Sequence, residues 1–158
     1  MSFPYPDRSN DFLRDHSRLL RTSYRHLTGR DLIDPGLDER EAARRLFEAP
    51  FALLSHTADP DPILTYGNRR VLDLFELDWE QLTRMPSRLT AEAPDREERA
   101  RLLARVTAHG FIDDYSGVRV SSSGRRFRID GAVVWNLIDE EGRYLGQAAT
   151  FASVQPLD

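Results

Sequence analysis

The stretch from Gly110 to Phe151, GFIDDYSGVRVSSSGRRFRIDGAVVWNLIDEEGRYLGQAATF, constrains this chain more than any other. β-Branched and aromatic residues fill three runs, while Gly, Ser, Asp and Glu collect between them, the pattern of three consecutive strands joined by two tight turns. Such a meander makes a curved antiparallel sheet with a face that must be covered. What covers that face, and what is held beneath it, is the functional question.

The preceding residues supply the cover. A helix is predicted over Ser9 to Leu27, with Phe12, Leu19, Leu20, Tyr24 and Leu27 near one stripe and Gly29 as its C-cap. That stripe suits the chain's own sheet and a partner helix equally, so a homodimer through this helix is expected alongside packing within the domain. Asp34-Pro35-Gly36 turns the chain, Asp38 and Glu41 form the capping box of a second helix, and Pro50 ends it. Phe51 to His56 and Ile63 to Tyr66 read as two strands around a stiff Asp-Pro turn. Asn68 caps a short helix carrying Val71, Leu72 and Phe75 inward. Asp78 with Gln81, and Leu77 with Leu82, give a second capping box and a hydrophobic staple. Asp95 with Glu98 predicts a third box, opening a helix with Leu102, Leu103 and Val106 inward and Gly110 at its end. Strands enclosing a helical insert make this an α+β domain with a five-stranded antiparallel sheet.

Composition removes whole classes of chemistry. With 158 residues the chain can bury a core as one domain, and no apolar run approaches membrane-spanning length. The N-terminus MSFPYPDRSNDF lacks the basic start and apolar core of a signal peptide, so a cytoplasmic location is expected. Cysteine is absent, which excludes disulfides, thiolate nucleophiles and a cysteinyl-flavin adduct. All 22 basic residues are arginine, which excludes Schiff-base chemistry and a P-loop lysine. A net charge of −4 argues against direct nucleic-acid binding.

The run SHTADPDPILTYGNRRVLDLFELDWEQLTRMPSRLTAE, with GFIDDYSGVRVSSSGRRFRIDGAVVWNLIDEEG and GQAATF, resembles the MEKHLA-domain family, itself similar to PAS domains. The resemblance covers residues 37–152, after a leader and helix over 1–36, and SYRHLTGRDL resembles the leader of free-standing bacterial members. It implies the PAS fold, five strands in the order 2-1-5-4-3 with the helical insert over one face and N-terminal helices beside it. It also implies a sensory or regulatory module, and since the sequence carries no DNA-binding region, zipper or kinase, such a module would signal in trans.

In that fold a ligand cavity lies between the sheet and the helical insert. Alternation puts Trp135 on one face of its strand and Asn136 on the other. Of the strand arginines Arg119, Arg126 and Arg128, Arg119 is the candidate for recognising a carboxylate or phosphate, because it shares a face by alternation with Phe111, Asp113 and Tyr115. The candidate ligand-binding residues are Arg119, Trp135, Tyr115, Tyr66, His56 and Gln147. No catalytic set emerges. Ser55 and His56 are adjacent on a strand and point apart, and Asp113 and Asp114 fail as a pair for the same reason. His16, His26, His56 and His109 lack metal-ligand spacing, so neither a metal nor haem is expected, and flavin has no sequence support. A small enzyme using His56, Asp113 or Tyr115 as acid or base, and a ligand-free protein-interaction scaffold, are the alternatives to a module that binds a small molecule or a signalling protein.

Overall fold

The computed structural model describes residues 3–157, in which an antiparallel sheet is covered on both faces. The elements are α1 (Arg14–Thr28), α2 (Glu39–Phe47), β1 (Ala52–Thr57), β2 (Leu64–Gly67), α3 (Arg69–Phe75), α4 (Trp79–Leu82), α5 (Ala93–His109), β3 (Phe111–Val120), β4 (Arg126–Ile138), β5 (Tyr144–Phe151) and β6 (Ser153–Pro156). The strands follow the expected order β2-β1-β5-β4-β3. The short β6 was not anticipated: it resumes the β5 side of β4, from Phe127 opposite Pro156 to Asp130 opposite Ser153.

The stripe of α1 is spent on the chain's own sheet. Tyr24 meets Trp135 edge-on with ring centroids 4.8 Å apart, and the Ser23 hydroxyl donates to the Ile138 carbonyl at 3.1 Å. α5 covers the opposite face, with Leu102 and Val106 buried. Strand β4 is therefore buried on both sides from Ala132 to Leu137, where a one-sided sheet would alternate.

Local signals explain most element boundaries. The Asp38 carboxylate accepts from the Glu41 amide at 2.8 Å, and Asp78 with Gln81 forms the full reciprocal box. Two expectations need correction. The helix predicted from Ser9 begins at Arg14, because Asp11, Phe12 and Leu13 all adopt left-handed backbone with φ of 53°, 55° and 58°. Leu13 is buried and the Phe12 ring lies 6.4 Å from that of Phe47, so tertiary packing holds this costly conformation. The Asp95–Glu98 box does not form either: Pro94 in the first turn sets the start of α5 at Ala93, and Glu98 accepts a hydrogen bond from the Tyr115 hydroxyl instead.

Asn68 ties the two layers together. It is wholly buried, and its Oδ1 accepts from the amides of Val71 and Leu53 at 3.2 Å each. Its Nδ2 donates to the carbonyls of Leu46 at 3.0 Å and Phe51 at 2.8 Å. One side chain thus caps α3 and anchors both the end of α2 and the start of β1. Asn68→Ala is expected to destabilise the fold by about 3 kcal/mol, since it strands buried donors and acceptors as well as losing the cap. Asn68→Asp is expected to cost a similar amount by turning an acceptor toward two carbonyls. Urea unfolding of the three proteins checks this.

Candidate functional site

Three neighbouring strands bring three polar side chains into one row on the α5 face of the sheet. His56 on β1 pairs with Gln147 on β5, which pairs with Asn136 on β4. All three are buried, so each must find partners inside the protein. The Gln147 Nε2 donates to the Leu103 carbonyl at 3.1 Å, the Thr107 hydroxyl at 3.0 Å and Asn136 Oδ1 at 3.2 Å. The Asn136 Nδ2 donates to the Val106 carbonyl at 3.1 Å. The row therefore clamps α5 onto the sheet.

With the amide nitrogen of Gln147 so engaged, its Oε1 faces His56 Nε2 at 3.1 Å, and the imidazole donates there. His56 Nδ1 then accepts from the Ser87 hydroxyl at 2.9 Å. Burial first, and then the charge of Arg99, lowers the His56 pKa to about 4, against a smaller opposing effect of the Gln147 hydrogen bond. The ring is neutral at physiological pH, with both nitrogens in use.

Beside this row lies a cavity of about 60 Å³. Its walls include Leu54, Leu64, Phe75, Leu102, Ile129 and Val134, and its polar groups come from His56, Gln147, Tyr115, Arg99 and Arg119. Tyr115 stands over Gly117, where an added Cβ would lie 2.3 Å from the phenol oxygen. From there its hydroxyl donates to Glu98 Oε1 at 2.8 Å and accepts from Arg119 Nη2 at 3.2 Å. Arg119 is only 7% exposed; its Nη1 donates to the Val118 carbonyl and its guanidinium lies 5.6 Å from the centre of the Tyr115 ring. Arg99 reaches the cavity from α5. Burial and then the charge of Arg119 lower its pKa to about 10, against a smaller raising effect of Tyr115.

Of the six candidate residues, the structure brings Arg119, Tyr115, His56 and Gln147 to the cavity and leaves two out. Trp135 points to the other face, against Tyr24, because β4 alternates and Val134 takes the cavity side. Tyr66 also lies on the other face, among Phe47, Trp79 and His16. The predicted company of Arg119 changes as well. Register shifts flank Tyr115, and Asp114 has φ of 56°, so Phe111 opposes Trp135 while Tyr115 opposes Ala132, on the opposite face. Asp113 is exposed and pairs with Arg30 at 3.1 Å. Arg128 pairs with Asp130 at 2.9 Å on the surface.

Arg99 was missed, yet it precedes Leu102 by three residues and Leu103 by four, which puts it on the inner stripe of α5. Ser87 carried no signal, since only the tertiary fold brings its loop to β1.

A profile of the MEKHLA domain matches residues 14–156. The chain belongs to the MEKHLA domain family. Among curated proteins it is similar to the homeobox-leucine zipper protein HOX29 of Oryza sativa subsp. indica, with 27% identity over 128 residues, 79% of this chain. The MEKHLA chain spans only 15% of that relative's length. Among solved structures it is similar to the PAS domain of a protein from Colwellia psychrerythraea, with a TM-score of 0.62 at 13% identity over 75% of this chain and 95% of that one. A light-oxygen-voltage domain studied with a flavin analogue gives a TM-score of 0.59 at 12% identity, over 75% of this chain and 85% of that one. These likenesses establish a PAS-like fold. Among the described residues no helix is long and apolar enough to cross a membrane.

The cavity does not fit the cofactors that such folds can carry. About 60 Å³ is far below the roughly 300–1,000 Å³ of drug-sized ligand sites, and a flavin exceeds it. Haem iron would need a free imidazole nitrogen, and His56 has none. No group of His, Asp and Glu among the described residues could hold a metal ion.

The depressed pKa of His56 makes a stability prediction. The unfolded chain, with histidine near 6.5, binds more protons than the native state between about pH 6.5 and about pH 4, so stability falls as the pH drops through that window. His16, also lowered to about 4 by burial, contributes with the same sign. Urea unfolding should show wild type losing up to about 1.4 kcal/mol per pH unit per histidine there, and His56→Gln losing measurably less.

Proposed function

We propose that this MEKHLA domain is a sensory or regulatory module that binds a small ligand between α5 and the sheet and reports it to a protein partner in trans. The observation that carries this reading is the cavity itself: a small, half-open space in which charged and polar side chains converge, although a filled apolar core would be more stable there. No arrangement at the site supports turnover. His56 is locked neutral between two partners, Tyr115 already donates to Glu98, and Asp113 is outside.

The route out of the cavity runs through β1. His56 faces the cavity, and its neighbour Ser55 faces α1, where its hydroxyl meets His16 Nε2 at 2.9 Å and Thr65 Oγ1 at 2.7 Å. A ligand that shifts His56 shifts the same strand that is hydrogen-bonded to α1 through Ser55 and His16. The modest cavity volume also favours a second reading, a ligand-free interaction scaffold.

A thermal-shift screen with a library of small metabolites separates the two readings. The sensor reading expects at least one compound to raise the melting temperature of wild type. Ala132→Val, which adds two methyl groups to a wholly buried cavity residue, should fold and lose that response. No response in wild type, or an undiminished response in Ala132→Val, sinks the sensor reading in favour of the scaffold.

A further inference from the structure

The electrostatics of the cavity are unbalanced. Arg99 and Arg119 both line it, close enough that Arg119 disfavours the charge on Arg99. Arg119 is satisfied only by neutral oxygens, the Val118 carbonyl and the Tyr115 hydroxyl. The Glu98 carboxylate is engaged by that same hydroxyl at 2.8 Å. Among the described residues nothing accepts a hydrogen bond from Arg99, although it lines the cavity and most surface arginines of this chain hold a carboxylate partner. Two like charges lining one cavity repel, and among the described residues neither guanidinium forms an ion pair with a carboxylate there. An anion between them would relieve that repulsion and supply the missing partner.

Resting on the reading of this site as a ligand cavity, we infer that its ligand is a short aliphatic carboxylate, held by Arg99 and Arg119 with its hydrocarbon end toward Leu54, Leu102 and Val134. Size and lining choose the class. About 60 Å³ has room for only a few water-sized groups, the scale of a carboxylate with a short hydrocarbon end. A planar guanidinium matches the two oxygens of a carboxylate through paired hydrogen bonds. The remaining wall is apolar apart from His56, Gln147, Tyr115 and Thr90, whose polar atoms are already engaged within the protein, so it offers no further cation to the additional oxygens of a phosphate or to a second charged end.

The test is calorimetric titration of the full chain with sodium propionate at constant ionic strength, with propionamide and inorganic phosphate as comparison ligands. Propionate should bind, and propionamide, of the same shape without the charge, should bind at least about tenfold more weakly. Arg99→Gln should fold normally, since its guanidinium makes no hydrogen bond with the described residues, and should lose propionate affinity about tenfold. Arg119→Gln should lose at least as much, and its melting curve in the absence of ligand reports whether it folds. In proton NMR the His56 ring should titrate at higher pH with propionate bound, because the anion offsets the field of Arg99, Arg119 being the other charge facing the cavity.

Equal affinity for propionamide and propionate, or unchanged affinity in Arg99→Gln, overturns the carboxylate assignment while leaving a ligand cavity in place. Tighter binding of phosphate overturns it in the same way. Absence of binding by all three probes overturns it too, and the metabolite response of wild type against Ala132→Val then judges the broader sensor reading separately.

Discussion

The structure depends on how a sheet buried on both faces satisfies its polar side chains. The edge-on contact of Tyr24 on Trp135 holds α1 to its face, although the Trp135 indole N–H there is buried without a hydrogen-bond partner. The α5 face carries His56, Gln147 and Asn136, which must be paired or pay for their desolvation. They are paired with the backbone of α5 and with Ser87, so the polar row that would weaken an apolar core instead fixes where the helix sits. α5 is held by several directional bonds over a small void, while α1 and α2 combine close packing with single anchors, Ser23 on Ile138 and Asn68 on Leu46.

The β1–β5 pairing has a similarly firm basis. Gly146 has φ of 143°, and a Cβ there would lie 2.0 Å from the His56 carbonyl oxygen, a backbone atom that cannot step aside. The two strands approach that closely only with glycine, at the point where His56 and Gln147 meet across the ladder. At the far end, the turn after β3 is tied down by hydroxyl groups: Ser121 and Ser123 both donate to the Glu76 carboxylate and Ser122 to the Glu76 carbonyl. The serine-rich stretch, legible in sequence only as a hairpin, is the receptor for the C-terminal cap of α3.

Much of the fold was legible because local signals agree with the tertiary outcome. Asp38, Asn68 and Asp78 cap the helices they precede, and the strand runs alternate or stay apolar according to whether one face or both are covered. The failures have physical causes. Three left-handed residues before α1 are stabilised by Phe47 and the core, contacts distant in sequence. Strict alternation along β3 broke at Asp113 and Asp114, where irregular pairing inserts a residue and takes Phe111 off the face that Tyr115 and Arg119 still share. Trp135 and Tyr66 were assigned to the cavity because period-two patterning tells which residues share a face and not which helix covers it. Arg99 was the reverse case, visible on the inner stripe of α5 but easily set aside, since an arginine in a helix ordinarily serves solvent.

In a chain without lysine, the cavity histidine stays neutral down to about pH 4 and Arg99 stays charged up to about pH 10. Between those limits neither group changes its charge. On the proposal that the cavity binds a small acid, acidity would act through the ionisation of the ligand, so that a weak acid and its conjugate base would meet these two side chains as two different ligands.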